Sequence, residues 1–282
     1  MPILKLSQIF IYPIKSLAGI SLEIGHVEEH GLRYDRRWML VDEHGQFITQ
    51  RKYPNMALLR LRMDEDHLYI SSPEKGVEDL ELSLAPTLGD SLEVTVWDDT
   101  CIAYHVSSSA DEWFTRALGM SCRLVYKPND SIRKIKAQWA LNSESVSFAD
   151  GYPYLIVGQA SLDDLNDKLE NPISMIRFRP NFVFTGGQSY EEFQWSTFSI
   201  GNNHFQGLKP CVRCVLTTIN PETGEKGKEP LTTLAKQKID EKVVFGQHAI
   251  AVDHGEVKLG DDVYVVSRKE SPYAPLNKDS VH

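Results

Sequence analysis

"RRWMLVDEHGQFITQR", Arg36–Arg51, sets two strand-like runs around Asp42-Glu43-His44-Gly45. A bulky apolar run, an acidic turn closing on glycine and a second run form the pattern of an antiparallel hairpin. The pattern recurs. "ALLRLRM" and "HLYIS" flank Asp64-Glu65-Asp66, and "LEVTVW" and "CIAYHV" flank Asp98-Asp99. Short strands at this spacing make the first third of the chain a β meander and favour a sandwich or barrel over alternating β and α units. Further strands are expected at "YLIVG", "NFVFTG", "STFSIG", "CVRCVLTTI", "HAIAV" and "DDVYVVS". The fold class is mainly β, mixed α+β, with a few short helices.

Those helices carry their own signals. Ser109-Ala110-Asp111-Glu112 reads as a capping box before "EWFTRAL", closed by Gly119. Ser161-Leu162-Asp163-Asp164 is expected to start a second helix, and Pro230 a third over "LTTLAKQK". Between Lys127 and Gly151 the pattern dissolves into polar, irregular sequence, and a loop of that length inside a compact chain usually serves function or motion. The expected division is 1–125, 126–268 and a polar, loose tail at 269–282.

With 282 residues, 41% hydrophobic and 24% charged, the chain can bury a core without a metal or disulfide staple. No apolar run approaches the roughly 20 residues that span a bilayer, and the N-terminus lacks the pattern of a signal peptide. A soluble cytoplasmic protein is expected. Its net charge of −9 argues against general nucleic-acid binding. There is no Ser-His-Asp motif, dinucleotide fingerprint or P-loop: "GGQSYEEF" lacks the required G-K-[ST].

The four cysteines, Cys101, Cys122, Cys211 and Cys214, do not form a disulfide framework in a chain without an export signal. Cys211 and Cys214 make a C-x-x-C, which is half a tetrahedral zinc site. The other cysteines lack partner spacing, and His248 and His254 lie outside the usual histidine spacing. A redox pair normally sits at a strand-to-helix turn, whereas this one enters the β-branched "VLTTI". Two buried small hydrophobes remain the plain alternative. Strand alternation puts Pro210, Val212 and Cys214 on one face and Cys211 and Arg213 on the other. Arg213 beside Cys214 favours a thiolate, a soft metal ligand.

Positive charge gathers at element edges. Lys15-Ser16 follows a strand and a proline, Arg36 and Arg37 open a strand, and Arg177, Arg179 and Asn181 precede another. Basic groups in such places suit a phosphate-bearing ligand, or each is a solvated strand end. His248 and Asp150-Gly151-Tyr152-Pro153 complete the candidates; alone, they read as a structural histidine and a turn.

Taken together, "YPIKSLAG", "GLRYDRRWMLVD", "FADGYPYLIV", "RFRPNFVF", "KPCVRCVLTTINPETG", "FGQHAIAV" and "GDDVYVV" occur in an order that resembles MOSC-domain proteins. The nearest likeness is to bacterial reductases of N-hydroxylated bases and to the mitochondrial amidoxime-reducing component, over about residues 1–268. The resemblance implies an N-terminal MOSC β-barrel-like part (1–125) and a MOSC β-barrel domain (126–268). It also implies a molybdenum cofactor, a pterin dithiolene with a phosphate tail, held through one protein cysteine. That ligand matches Cys214, with Cys211 as a neighbour. Lys15, Ser16, Arg36, Gly151, Tyr152, Arg179, Asn181, Val212, Arg213 and His248 match cofactor-holding positions, and Asp150 matches an acid near the metal. Gly151 and Val212 offer only backbone groups. The implied activity is reduction of hydroxylamines, amidoximes or N-hydroxy bases; the alternative is a non-catalytic carrier of the cofactor or its sulfur. The chain has no cysteine past Cys214 for the iron–sulfur cluster of close bacterial relatives. Electrons are therefore expected from a separate ferredoxin, flavodoxin or reductase-type protein.

Overall fold

The computed structural model describes residues 3–270 and Pro272. The tail expected at 269–282 lies almost wholly outside the described residues. Seven strands close into a barrel. In ring order they are Leu4–Ile11, Phe182–Thr185, Tyr154–Gly158, Val244–Ala251, Asn203–Val212, Trp195–Ile200 and Asp262–Arg268, which returns to Leu4–Ile11. The neighbours pair antiparallel except Tyr154–Gly158 beside Phe182–Thr185, whose parallel pairing is bridged by the helix Gln159–Asn166. Alternate residues fill the interior with large rings: Tyr154 stacks on Phe182 at 5.6 Å and Phe198 on Phe205 at 5.3 Å. The first strand, from the start of the chain, is thus a stave of a barrel built mostly from residues beyond 150.

The meander forms a second core. Trp38–Val41, Arg123–Tyr126, Asp99–His105 and Ser91–Val96 lie side by side, and Arg60–Met63, His67–Ser71 and Leu80–Ser83 make a smaller sheet. Trp38, Leu40, Leu68, Ile70, Phe114 and Leu124 are buried between these sheets and the helix Ser108–Leu118.

Four local expectations are corrected. The second arm of the Arg36–Arg51 hairpin is reduced to isolated bridges, because Phe47 N–H donates to Thr95 O of the neighbouring hairpin. The cap of Ser108–Leu118 is Ser107, whose Oγ accepts from Ala110 N–H at 3.2 Å. Asp111 instead accepts from Leu124 N–H and pairs with His105. The second helix starts at Gln159, which leaves Ser161 inside it, donating to Glu192. Finally, "VLTT", Val215–Thr218, is a 3₁₀ turn and not a strand. Thr217 and Thr218 hydroxyls donate to the carbonyls of Cys214 and Val215, an option that competes with a sheet ladder. Lys127–Gly151 is irregular as expected, with a single 3₁₀ turn at Ala137–Trp139. Among the described residues no helix is long and apolar enough to cross a membrane.

Candidate functional site

At one mouth of the barrel, ends of four strands and the irregular segment surround a cleft of about 450 Å³. The twelve residues that the family likeness matched all line it: Lys15, Ser16, Arg36, Asp150, Gly151, Tyr152, Arg179, Asn181, Val212, Arg213, Cys214 and His248. They come from separate segments spread over more than two hundred residues, and spacing alone could not have shown the convergence.

The electrostatics are lopsided. Eight cations (Lys15, Arg36, Arg51, Lys134, Lys136, Arg179, Lys209 and Arg213) face two carboxylates, Asp99 and Asp150. In a chain of net charge −9 this is a localised anion-binding field. Tyr12 organises its floor. The guanidinium carbons of Arg36 and Arg179 lie 4.4 Å and 4.1 Å from the Tyr12 ring centroid, and each such contact is worth roughly 0.5–2 kcal/mol. Arg36 Nη1 donates to Asp35 at 2.6 Å, and Arg179 Nη1 donates to the Leu17 carbonyl at 2.6 Å. Burial and the neighbouring Arg36 bring Arg179 down to about 10.

Ser16, Arg36 and Arg179 all adopt left-handed backbone, with φ of 71°, 49° and 55°. Non-glycine residues pay roughly 1 kcal/mol or more each for that conformation, and such strain concentrates where a site needs it. Asn181 is 1% exposed and ties strands together: its side chain accepts from Leu155 N–H and donates to Phe10 O.

Among the described residues, three buried nitrogens on side chains that line the cleft lack a partner: Arg179 Nη2, Arg213 Nε and His248 Nδ1. Beside them, a Cβ placed on Gly151 would meet open space. Tyr152 rests against His248 with ring centroids 4.6 Å apart, and Lys209 Nζ lies 5.1 Å from the Tyr152 ring.

The two thiols part company. Arg213 Nη1 donates to Cys211 Sγ at 2.9 Å and Nη2 to the Phe178 carbonyl. The expectation that Arg213 would serve Cys214 is therefore corrected: residues two apart at a strand end share a face, so 213 turns to 211. Burial disfavours the Cys211 thiolate, but Arg213 and His248 outweigh it and bring the thiol down to about 6. Cys214 sits where the strand passes into the 3₁₀ turn, and is the one cysteine that is not buried. Its cation is Arg51, whose Nε donates to Sγ at 3.1 Å.

Arg51 also donates to Asp150 Oδ2 at 2.7 Å, while Lys15 donates to Asp150 Oδ1 at 2.6 Å and to the Phe148 carbonyl at 2.7 Å. Burial disfavours the Asp150 charge, yet these two cations hold its carboxyl well below the usual range. Burial lowers Lys15 to about 8 against the pull of Asp150.

Arg51 was missed in the sequence, although it ends the very run that decides the fold. Arg51 has no glycine, serine or proline turn beside it to mark it out. Lys134 and Lys136, which also line the cleft, carry no motif signal in the sequence, and Lys209, at the head of "KPCVRC", was not singled out from it. Arg37 and Arg177, by contrast, do not reach the cleft. Arg37 donates to the Lys127 carbonyl and Asn129, and Arg177 borders a separate small pocket. Among the described residues no group of three or more His, Cys, Asp or Glu side chains gathers to hold a metal.

Comparison with known proteins gives this cleft a family. Residues 3–121 match the MOSC N-terminal beta barrel domain, and residues 143–264 match the MOSC domain. The chain is 33% identical to mitochondrial amidoxime-reducing component 1 of Mus musculus, covering 93% of this chain and 82% of that protein. The Homo sapiens counterpart is 31% identical, covering 93% of this chain and 83% of that protein. Molybdenum cofactor sulfurase of Oryza sativa subsp. japonica is 30% identical over 94% of this chain but only 34% of its own length. With both domains matched in tandem and 93% of this chain aligned to amidoxime-reducing components at 31–33% identity, the chain belongs to the MOSC-domain family.

Proposed function

We propose that the chain is a molybdenum cofactor-dependent oxidoreductase that reduces N-hydroxylated compounds with electrons from a separate donor protein. The observation that carries this reading is the pairing of one half-buried thiol, Cys214, with a cation-lined cleft in which one nitrogen each of Arg179 (Nη2), Arg213 (Nε) and His248 (Nδ1) is left without a partner. These residues fit the group. Its anionic phosphate tail suits Arg36, Arg179 and the turn at Ser16. The space over Gly151 admits a flat ring system, and a metal that brings its own sulfur ligands needs only one cysteine. Bound there, the cofactor supplies two-electron reduction of an N–O bond, with water as the second product.

The chain's own groups do the rest. Arg36 and Arg179, preset over Tyr12 in strained backbone, hold the tail without reorganising. Asp150 stays ionised between Lys15 and Arg51, so it accepts hydrogen bonds and orients both cations instead of donating a proton. Tyr152 and His248 wall the cleft as a tilted pair of rings in contact. The substrate classes that suit this reading are hydroxylamines, amidoximes and N-hydroxy bases, and the donor is of ferredoxin, flavodoxin or reductase type.

The similarity to molybdenum cofactor sulfurases favours a second reading, a non-catalytic carrier of the cofactor or its sulfur. Anoxic purification from a host that makes the cofactor, followed by turnover with reduced viologen, separates the two. An enzyme holds near-stoichiometric molybdenum and pterin and consumes an N-hydroxylated substrate. Full cofactor without consumption leaves the carrier, and zinc without pterin overturns both.

A further inference from the structure

Arg51 stands outside the positions that the family likeness assigned to the cofactor, yet it touches two of them. Its Nε donates to Cys214 Sγ at 3.1 Å and its Nη2 to Asp150 Oδ2 at 2.7 Å, while Nη1 donates to Thr49 Oγ1 at 3.3 Å. Its guanidinium carbon lies 4.7 Å from the Trp97 ring centroid, and Trp97 meets Phe47 edge-on at 5.0 Å. The position of Trp97 is unusual. It opens the two-residue loop between Ser91–Val96 and Asp99–His105, with φ of 58°. Asparagine or glycine adopts that backbone far more readily than a large aromatic. A tryptophan there, 46% exposed, makes sense as the shelf that holds Arg51 in plane.

We infer that Arg51 is a positioning residue of this site: it fixes the Cys214 sulfur at the cleft and gives it a cationic N–H donor, locked from one side by Asp150 and from another by Trp97. The inference rests on the reading of Cys214 as the single protein ligand. A hydrogen bond from a cation draws electron density off a ligating sulfur and so favours the more reduced state of the metal it binds. Lysine can supply the charge and one donor, but not a planar fork that serves sulfur, carboxylate and hydroxyl at once.

The test uses the full chain with Arg51→Met, Arg51→Lys and Trp97→Leu, each checked by melting temperature. In cofactor-free protein, alkylation by iodoacetamide near neutral pH is read at each cysteine by peptide mass spectrometry. With the Nε–Sγ contact gone and the sulfur no longer held in place, the Cys214 alkylation rate should change by at least about threefold in Arg51→Met and by less in Trp97→Leu, with Cys211 unchanged. In molybdenum-loaded protein, Arg51→Met should keep its metal but shift the midpoint of the molybdenum EPR signal to lower potential. Arg51→Lys should restore part of that shift.

Unchanged Cys214 alkylation in a folded Arg51→Met protein overturns the inference. If Arg51→Met does not fold, Arg51→Lys and Trp97→Leu decide by the same readout, and wild-type rates in both overturn it. Failure of the underlying reading looks different: Cys214→Ser would then retain the wild-type EPR signal, whatever the alkylation rates.

Discussion

Cys211 and Cys214 are three residues apart, yet different guanidinium groups hold them: Arg213 the first and Arg51 the second. Both border the cleft, but Cys211 is 8% exposed and belongs to an apolar cluster with Phe178 and Phe245, whereas Cys214 is half-buried. The two should therefore respond unequally to the same substitution. Cys214→Ser is expected to lose more than about a hundredfold in viologen-driven turnover, with the melting temperature within a few degrees of wild type. Cys211→Ser keeps an acceptor for Arg213 and should stay within about tenfold of wild type. Equal losses in the two variants would remove the single-ligand assignment. At this scale the sequence was legible where chemistry is local. "KPCVRC" and "IRFRPN" were picked out as runs, and Cys214, Arg213, Arg179 and Asn181 from them line the cleft. What the string could not show was which thiol each arginine serves, because that depends on the strand ending at Val212 and on Arg51 arriving from a segment 163 residues away.

The corner from the Tyr154–Gly158 strand into the Gln159–Asn166 helix depends on a single buried acid. Glu192, 0% exposed, accepts from Gly158 N–H and from the Ser161 hydroxyl, and Ser161 in turn accepts from Tyr190 N–H. Burial pushes the Glu192 carboxyl up to about 7, although the Gly158 and Ser161 bonds pull the other way. The native chain therefore keeps this proton to higher pH than the unfolded chain. Stability from this group is fully present below about 4.5 and is lost as pH rises through about 7. Glu192→Gln mimics the protonated form, so it should melt like wild type near pH 4.5. At pH 8 it should be more stable, by up to about 3 kcal/mol. Parallel pH profiles for the two proteins would contradict the assignment. Short apolar runs rich in β-branched and aromatic residues were readable in advance: "NFVFTG" covers Phe182–Thr185, and "HAIAV" covers the second half of Val244–Ala251. The failures fell where side chains bond to nearby backbone: Ser107 at a cap, and Thr217 and Thr218 in a tight turn.

Across the whole molecule, closure of the barrel ties the two ends of the chain together. Leu4–Ile11 pairs with Phe182–Thr185 on one side and with Asp262–Arg268 on the other. A fragment starting at residue 126 therefore lacks a stave and leaves two strand edges open. It should be insoluble or molten alone, and should regain a cooperative melting transition when a peptide covering residues 1–28 is added. A cooperative transition in the fragment by itself would show that the barrel closes without its first strand. That the barrel would be shared in this way was not written in the local pattern, since hydrophobic alternation reveals a strand but not its partner. The shared stave also sets a timetable for synthesis. The strand can pair at once with Ile20–Leu22 along part of its length, but its start waits for Asp262 and Val263, which at ribosomal speeds of about 5–20 residues per second come roughly 10–50 s later. Lys15 and Ser16, just beyond it, reach their places beside Arg179 and His248 only after residue 248 has been made. A ligand that needs all four together can therefore load only after that point, and a holding chaperone acting on the first residues during that interval would govern how much protein becomes competent to bind it.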